Sequence, residues 1–356
     1  MNCSGDSLLF SPDLKQNLGS MPISNDQYKN CSNALEFFRE KLANPQKLAD
    51  EFSEIQARRT KQSQMEQLCK VAYDEVNLSK NRYSDVVPFD NSRVILKQCK
   101  DYRPSAKGYI NASFISNSSS SNVSQFIATQ GPLSHTYEDF WEMVLQYRCP
   151  VIVMLTRLVD GCKTGTDKCG DYFHSETGFR NFGNIVLSTK WTKTTETSLV
   201  LRHLELRYAE SEETPFSCLH IQYPEWPDHG VPTDTISVRE IYKRLLPING
   251  PILVHCSAGI GRTGTYCAIH NTLQRILAGD LSALDVARTV AGFRSQRIGM
   301  VQTMDQFVFC HQAIADELHE LTTGNRRKRK RARPARPARR EIKGKKTGDS
   351  TGRKKR

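Results

Sequence analysis

The chain holds no run approaching the roughly 18 consecutive apolar residues that a bilayer-spanning helix needs, so no membrane insertion is expected. Its start, Met1 to Phe10, has no basic region followed by a long apolar run, so no secretory signal peptide is expected. There are eleven cysteines in 356 residues, but they form no Cys-x-x-Cys pair and no zinc-ligand spacing. That pattern fits free thiols in a reducing compartment better than a disulfide framework. Acidic residues are nearly missing from one region. From Arg326 to Arg356 there are 17 Lys/Arg against 2 Asp/Glu, leaving 33 against 36 in the other 325 residues. The net charge of +12 therefore belongs to a tail on a near-neutral body, and a nucleic-acid-binding fold is not implied. Nucleic acid would be met, if at all, through the tail.

What is present is enough for a core: 38% of the residues are hydrophobic. Residues 1–30, rich in Ser, Asn, Asp, Pro and Gly, read as a flexible leader. Leu35, Phe38, Leu42 and Leu48, Phe52, Ile55 carry a helical period, with Pro45 separating two helices. Short apolar runs bounded by turn residues read as strands: Val94–Leu96, Tyr109–Ile110, Phe126–Ala128, Val151–Leu155 and Cys218–Tyr223. Ile185–Tyr208 reads as two paired strands and Tyr137–Arg148 as a helix. In the last third the pattern gives a helix over Thr233–Leu246, a buried strand over Pro251–Val254, and helices over Gly261–Leu277, Ser282–Phe293 and Thr303–Leu321. The expected fold is α+β: one catalytic domain over 31–322, a central twisted mixed sheet flanked by helices, then a disordered basic tail over 323–356.

The chemistry concentrates at the junction of that buried strand and helix. Between them run His255, Cys256, Ser257, Ala258, Gly259, Ile260, Gly261, Arg262 and Thr263. Small residues let backbone N–H groups turn inward into an anion nest, and the helix presents its positive end to the same point. Arg262 can grip two phosphate oxygens, and Cys256 starts the loop where its sulfur would sit beneath a bound phosphorus. The same field favours a thiolate, which is a ready nucleophile. A Cys-x5-Arg pair alone says little, but none of the other ten cysteines has Arg six positions on. A phenyl phosphate would need its leaving group protonated. Asp228 in Tyr223-Pro-Glu-Trp-Pro-Asp-His-Gly-Val-Pro232 lies on a Pro-rich stretch that can serve as a lid and supply that proton.

Through these two stretches the chain resembles the classical, tyrosine-specific protein tyrosine phosphatases, over roughly Leu35 to Leu321. Lys80–Asp90 looks like their phosphotyrosine-recognition loop, and Gly108–Ser113, Ile127–Pro132 and Asp139–Met143 like their core motifs. Gln296–Thr303 looks like their glutamine loop. Asp101–Gly108 and Ala268–Ile276 are closest to the soluble plant enzymes. The resemblance implies hydrolysis of phosphotyrosine in proteins through a phosphocysteine, with no cofactor or metal. It implies that Tyr83 stacks on the phenol ring, that Asp85 holds substrate backbone, and that Gln302 places water with Gln306 in support. Thr263 would stabilise the departing thiolate, His255 would hold the loop and tune the thiolate, and Lys168 would contact the Asp228 loop. MAP kinases are implied as substrates, in negative regulation of kinase signalling. Asp160 stands near where many members brace the arginine with a glutamate, and the loop from Gly161 to Asp167 differs in composition. Phe173 stands where tryptophan is usual, and His229 where some members have phenylalanine.

Rival readings keep part of this set. A dual-specificity or phosphoinositide phosphatase would share Cys256, Arg262 and an acid but lack the Tyr83 loop. A catalytically dead phosphotyrosine-binding module would have lost the nucleophile or the acid. The tail reads as a nuclear-import or anion-binding segment, so a cytoplasmic location with a nuclear pool is expected. A low-pKa Cys256 should oxidise reversibly. The sequence leaves the oligomeric state open.

Overall fold

The computed structural model describes residues 10, 22–97, 104–117, 123–159, 167–173, 176–228, 230–246 and 248–332. Asp160, the loop 161–166, His229, segment 98–103 and the tail beyond 332 lie outside these, as does most of the leader. Helix α1 (Asn25–Leu42) starts inside the segment read as leader. The Ser24 side chain accepts from the Gln27 N–H and Gln27 reaches back to the Ser24 N–H, a capping box that fixes the start. The leader boundary at residue 30 is thus corrected to Ser24. Pro45 opens α2 (Pro45–Ala57) at a position that needs no N–H donor, with Asn44 as cap.

Two short helices that the apolar pattern does not reveal follow, α3 (Gln62–Leu68) and α4 (Glu75–Leu78). Then come strands β1 (Arg93–Ile95), β2 (Tyr109–Ile115) and β3 (Phe126–Thr129), helix α5 (Tyr137–Gln146) and β4 (Val151–Met154). Next are β5 (Gly178–Phe182), β6 (Ile185–Thr194), β7 (Val200–Tyr208) and β8 (Phe216–Gln222). Strand β5 is absent from the sequence reading because its two apolar side chains, Phe179 and Phe182, do not alternate and Phe179 faces solvent. The chain ends through α6 (Ile236–Leu245), β9 (Ile252–His255), α7 (Gly261–Leu277), α8 (Val286–Arg294) and α9 (Met304–Ala332).

The helix expected over Ser282–Phe293 is broken. Asp285 caps α8 through the Arg288 N–H, so Leu281–Leu284 becomes a separate 3-10 turn. Helix α9 runs to Ala332, so the first ten residues of the segment read as a disordered tail from 323 are helical.

One sheet of nine strands runs in the order β1-β2-β3-β9-β4-β8-β7-β6-β5. Its centre, β3-β9-β4-β8, is parallel and its flanks are antiparallel. The central strands are buried on both faces, which is why they read as continuous apolar runs. Phe126, Ala128, Val153 and Val254 meet the α1, α7 and α9 side, while Ile127, Ile152 and Leu253 meet Phe140, Trp141 and Tyr172. Parallel strands ending together leave a crevice at their carboxyl ends, where ligands sit in open α/β sheets. His255 ends β9 there. No described helix is long and apolar enough to cross a membrane.

Candidate active site

The loop after β9 has the conformation its sequence demands. Gly259 has φ +73°, and a Cβ on it would stand 2.1 Å from the Thr129 carbonyl oxygen, so only glycine fits. Its N–H points at Cys256 Sγ from 3.3 Å, and the Thr263 hydroxyl donates to the same sulfur at 3.3 Å. Gly261 and Arg262 open α7, so the positive end of that helix also faces the sulfur.

Burial by itself would push the Cys256 thiol up. The Arg262 guanidinium, the Thr263 hydroxyl and N–H, and the Gly259 N–H outweigh it, and the thiol titrates below its ordinary value. The other seven described cysteines all move the other way, chiefly through burial.

Asp228 closes over this floor. Its carboxylate lies 2.9 Å from Arg262 Nη2 and 2.6 Å from Lys168 Nζ. The lid is anchored by Trp226, whose Nε1–H donates to the Gly230 carbonyl at 3.1 Å and whose ring packs against Phe309 and Tyr223. Arg262 Nη1 donates to the Trp226 carbonyl at 3.3 Å, so this guanidinium also touches the Asp228 loop. The Asp228 carboxylate, the Arg262 guanidinium and the Cys256 sulfur therefore meet around a cavity of about 180 Å³.

Tyr83 and Asp85 form the cavity's outer wall together with Ser257, Ala258, Ile260 and Gly261. The Tyr83 hydroxyl is 2.9 Å from Ser257 Oγ. Tyr83 is 36% exposed and Cys256 only 3%, so the ring stands at the rim and the sulfur at the bottom. Gln302 and Gln306 line the far side. The Gln306 side-chain oxygen accepts from the Gln302 N–H at 2.9 Å. Val301, just before Gln302, sits at φ +59°, a costly conformation for a β-branched residue. Its N–H donates to the Ile260 carbonyl and its carbonyl accepts from Arg294, which hold it there.

Eleven of the fifteen residues singled out in the sequence line this cavity; Gly259 and Thr263 reach it through the Cys256 sulfur and Lys168 through Asp228. His255 is wholly buried behind it, with Nδ1 3.2 Å from the Cys256 carbonyl oxygen. Burial holds its imidazole neutral, with a pKa pushed down to about 3.

Three supports escaped the sequence reading. Arg297, wholly buried, donates to the Gly259 and Ala258 carbonyls and to Asn111 and Ser113, locking the loop from behind. Arg82 donates to the Gly131, Pro132 and Asp167 carbonyls, tying the Tyr83 loop to the Lys168 segment. Tyr172 bridges His255 to His220. Arg82 and Arg297 lie in recognised motifs and Tyr172 in the connection between β4 and β5, but an arginine or tyrosine among many carries no mark of its partner.

The sequence profile of the Protein-tyrosine phosphatase family matches residues 77–316, which takes in the whole cavity. The chain belongs to that family. The phosphatase is 64% identical over 307 residues to "Protein-tyrosine-phosphatase PTP1" of Arabidopsis thaliana, covering 85% of this chain and 89% of that one. It is 36% identical over 252 residues to human "Receptor-type tyrosine-protein phosphatase C", which is 69% of this chain and 18% of the receptor. It is also 36% identical over 262 residues to rat "Tyrosine-protein phosphatase non-receptor type 20", 72% of this chain and 58% of that protein. The chain is thus a protein-tyrosine phosphatase, with its likeness to the plant enzyme running nearly end to end.

Proposed function

We propose that this protein-tyrosine phosphatase works through a phosphocysteine on Cys256. The sulfur attacks phosphorus, the P–O bond to the tyrosyl oxygen breaks, and Asp228 gives that oxygen its proton. Arg262 and the N–H groups from Ser257 to Gly261 hold the equatorial oxygens. In the second half Asp228, now a carboxylate, takes a proton from water placed by Gln302 and Gln306. The water oxygen bonds to phosphorus as the P–S bond breaks, inorganic phosphate is released, and Thr263 and the Gly259 N–H receive the thiolate. Tyr83 holds the substrate ring and Asp85 its backbone.

The observation that carries this reading is the lowered thiol of Cys256 beneath an acid held by Lys168 and Arg262. The rim position of Tyr83 favours a long phosphotyrosine over phosphoserine and over the dual-specificity or phosphoinositide alternative. Replacing Asp228 by Ala leaves binding and slows the first step, so the variant should capture tyrosine-phosphorylated proteins from a lysate and release them to vanadate. Capture of serine-phosphorylated proteins alone would refute the assignment.

The likeness to the plant enzymes supports MAP kinases as substrates and a negative role in kinase signalling; their absence from the captured set would remove both. The basic tail supports a nuclear pool beside a cytoplasmic one, and deletion of 326–356 should lower the nuclear fraction. The low thiol supports reversible inactivation by peroxide, restored by a thiol reductant.

A further inference from the structure

Behind the catalytic loop lies a buried cation that the chemistry above does not use. Arg202, on β7, is 5% exposed. Among the described residues no carboxylate pairs with it. Its Nη1 faces His220 Nδ1 at 3.3 Å and Gln222 Oε1 at 3.1 Å, its Nε has no partner, and its guanidinium lies 4.3 Å from the centre of the Phe173 ring. A buried guanidinium without a counter-ion is costly and calls for a reason.

The reason is visible in where its hydrogen bonds lead. Arg202 and His220 are cross-strand partners on β7 and β8. His220 Nε2 is 2.8 Å from the Tyr172 hydroxyl, which is 2.6 Å from His255 Nε2. His255 Nδ1 is 3.2 Å from the Cys256 carbonyl oxygen. Both histidines are held neutral and Tyr172 stays protonated, chiefly through burial. Each neutral ring has one N–H and the phenol one O–H.

The two ends then fix every proton. A carbonyl oxygen only accepts, so His255 carries its proton on Nδ1 and its Nε2 accepts from Tyr172. The Tyr172 oxygen in turn accepts from His220 Nε2–H, which leaves His220 Nδ1 as acceptor. Arginine only donates, and it stands at that atom. Starting from Arg202 gives the same order. The Met154 sulfur, 3.8 Å from the Tyr172 hydroxyl, is a weaker acceptor for the same proton.

We propose that Arg202 is a positioning residue for catalysis: through His220 and Tyr172 it fixes the tautomer of His255 and so holds the Cys256 end of the phosphate loop. This deepens the reading of Cys256 as nucleophile and rests on it. All the donors point toward the loop, so the chain lays its positive ends against Cys256. Other charges face it too: Arg82 and Arg262 act on His255, Asp171 on Arg202, and Cys169 and Cys218 on Tyr172.

The test uses the full-length protein with 15N-labelled histidine. Wild type should show His255 as the Nδ1–H tautomer and His220 as the Nε2–H tautomer; either histidine in the opposite form overturns the proposal. Arg202→Met removes the donor at similar length. It should slow iodoacetamide alkylation of Cys256 about threefold to tenfold on the acidic side of its titration, a shift of about half to one pH unit. Arg202→Lys keeps a donor and should restore most of that loss, which a merely structural role would not predict. If Arg202→Met fails to fold, Tyr172→Phe cuts the same chain at its centre and should produce the same shift. A wild-type alkylation profile in whichever of these variants folds overturns the proposal. Cys256→Ser, tested for turnover and for the tautomers, separates the two claims. Retained turnover would refute the nucleophile, while the tautomer result speaks to Arg202 alone.

Discussion

Cys256 and Cys267 lie eleven residues apart along one continuous stretch, the first on the loop before α7 and the second within that helix. Both are buried. Burial moves the Cys267 thiol far up, while Cys256 moves down. Desolvation is the largest influence on each, so burial does not make a reactive cysteine. The difference is what surrounds the sulfur. Cys267 packs among apolar side chains, whereas Cys256 receives the Gly259 N–H, the Thr263 hydroxyl and the field of Arg262. The low-pKa thiol here is a buried thiol whose donors were built in advance.

The contrast can be broken in stages. Cys256→Ser should abolish turnover, a loss on the order of 10^4-fold or more in kcat, since no other described thiol is ionised near neutral pH. A steady-state assay with a phosphotyrosyl peptide measures it.

Arg262→Met should cost about 10^3-fold or more by removing the anion grip. It should also let the Cys256 thiol rise toward the behaviour of Cys267, read by alkylation against pH. The sign follows from the lowered thiol: in wild type the reactive thiolate is present above that lowered pKa and is lost as pH falls through it. In the variant that acidic limb moves to higher pH.

Asp228→Ala should lower kcat by about 10^2- to 10^4-fold with little change in KM. The loss should grow as the leaving group becomes more basic, and the alkaline limb of the pH profile should disappear.

Thr263→Ala removes one donor and should raise the Cys256 thiol by about one unit, the worth of one hydrogen bond to a charged group. Cys149→Ala is the smallest change. This thiol, pushed up to about 12 by burial, sits in the core cluster of Phe140 and Trp141 and does not line the cavity. Turnover should be unchanged and thermal unfolding should show a loss of about 1 kcal/mol from the small cavity.

Much of the site was readable in the chain because its chemistry is local. His255 to Thr263 are consecutive, and small residues followed by a helix start already describe a nest for an anion. The lid was legible for the same reason, since Trp226, Pro227 and Asp228 stand together between a strand and a helix. Element ends were less so. The Ser24 capping box and the continuation of α9 to Ala332 overrode composition, because a side-chain cap or an unbroken helical backbone outweighs a polar or basic sequence. Strand β5 was hidden because an edge strand buries only one face.

The supports were invisible for a deeper reason. Arg297 reaches the Gly259 carbonyl, Arg82 reaches Asp167 and Arg202 reaches His220, each across strands or loops distant in sequence. An arginine's donors do not reveal in a linear chain which carbonyl they will meet. The sequence by itself determined the Cys256-to-Arg262 loop and the Trp-Pro-Asp stretch before it, and with them the family. Only the tertiary structure decided which thiol has its pKa lowered, which cations hold Asp228, and which buried arginine stands behind the loop. Electrostatic fields depend on distances through space, and packing the sheet is what sets those distances.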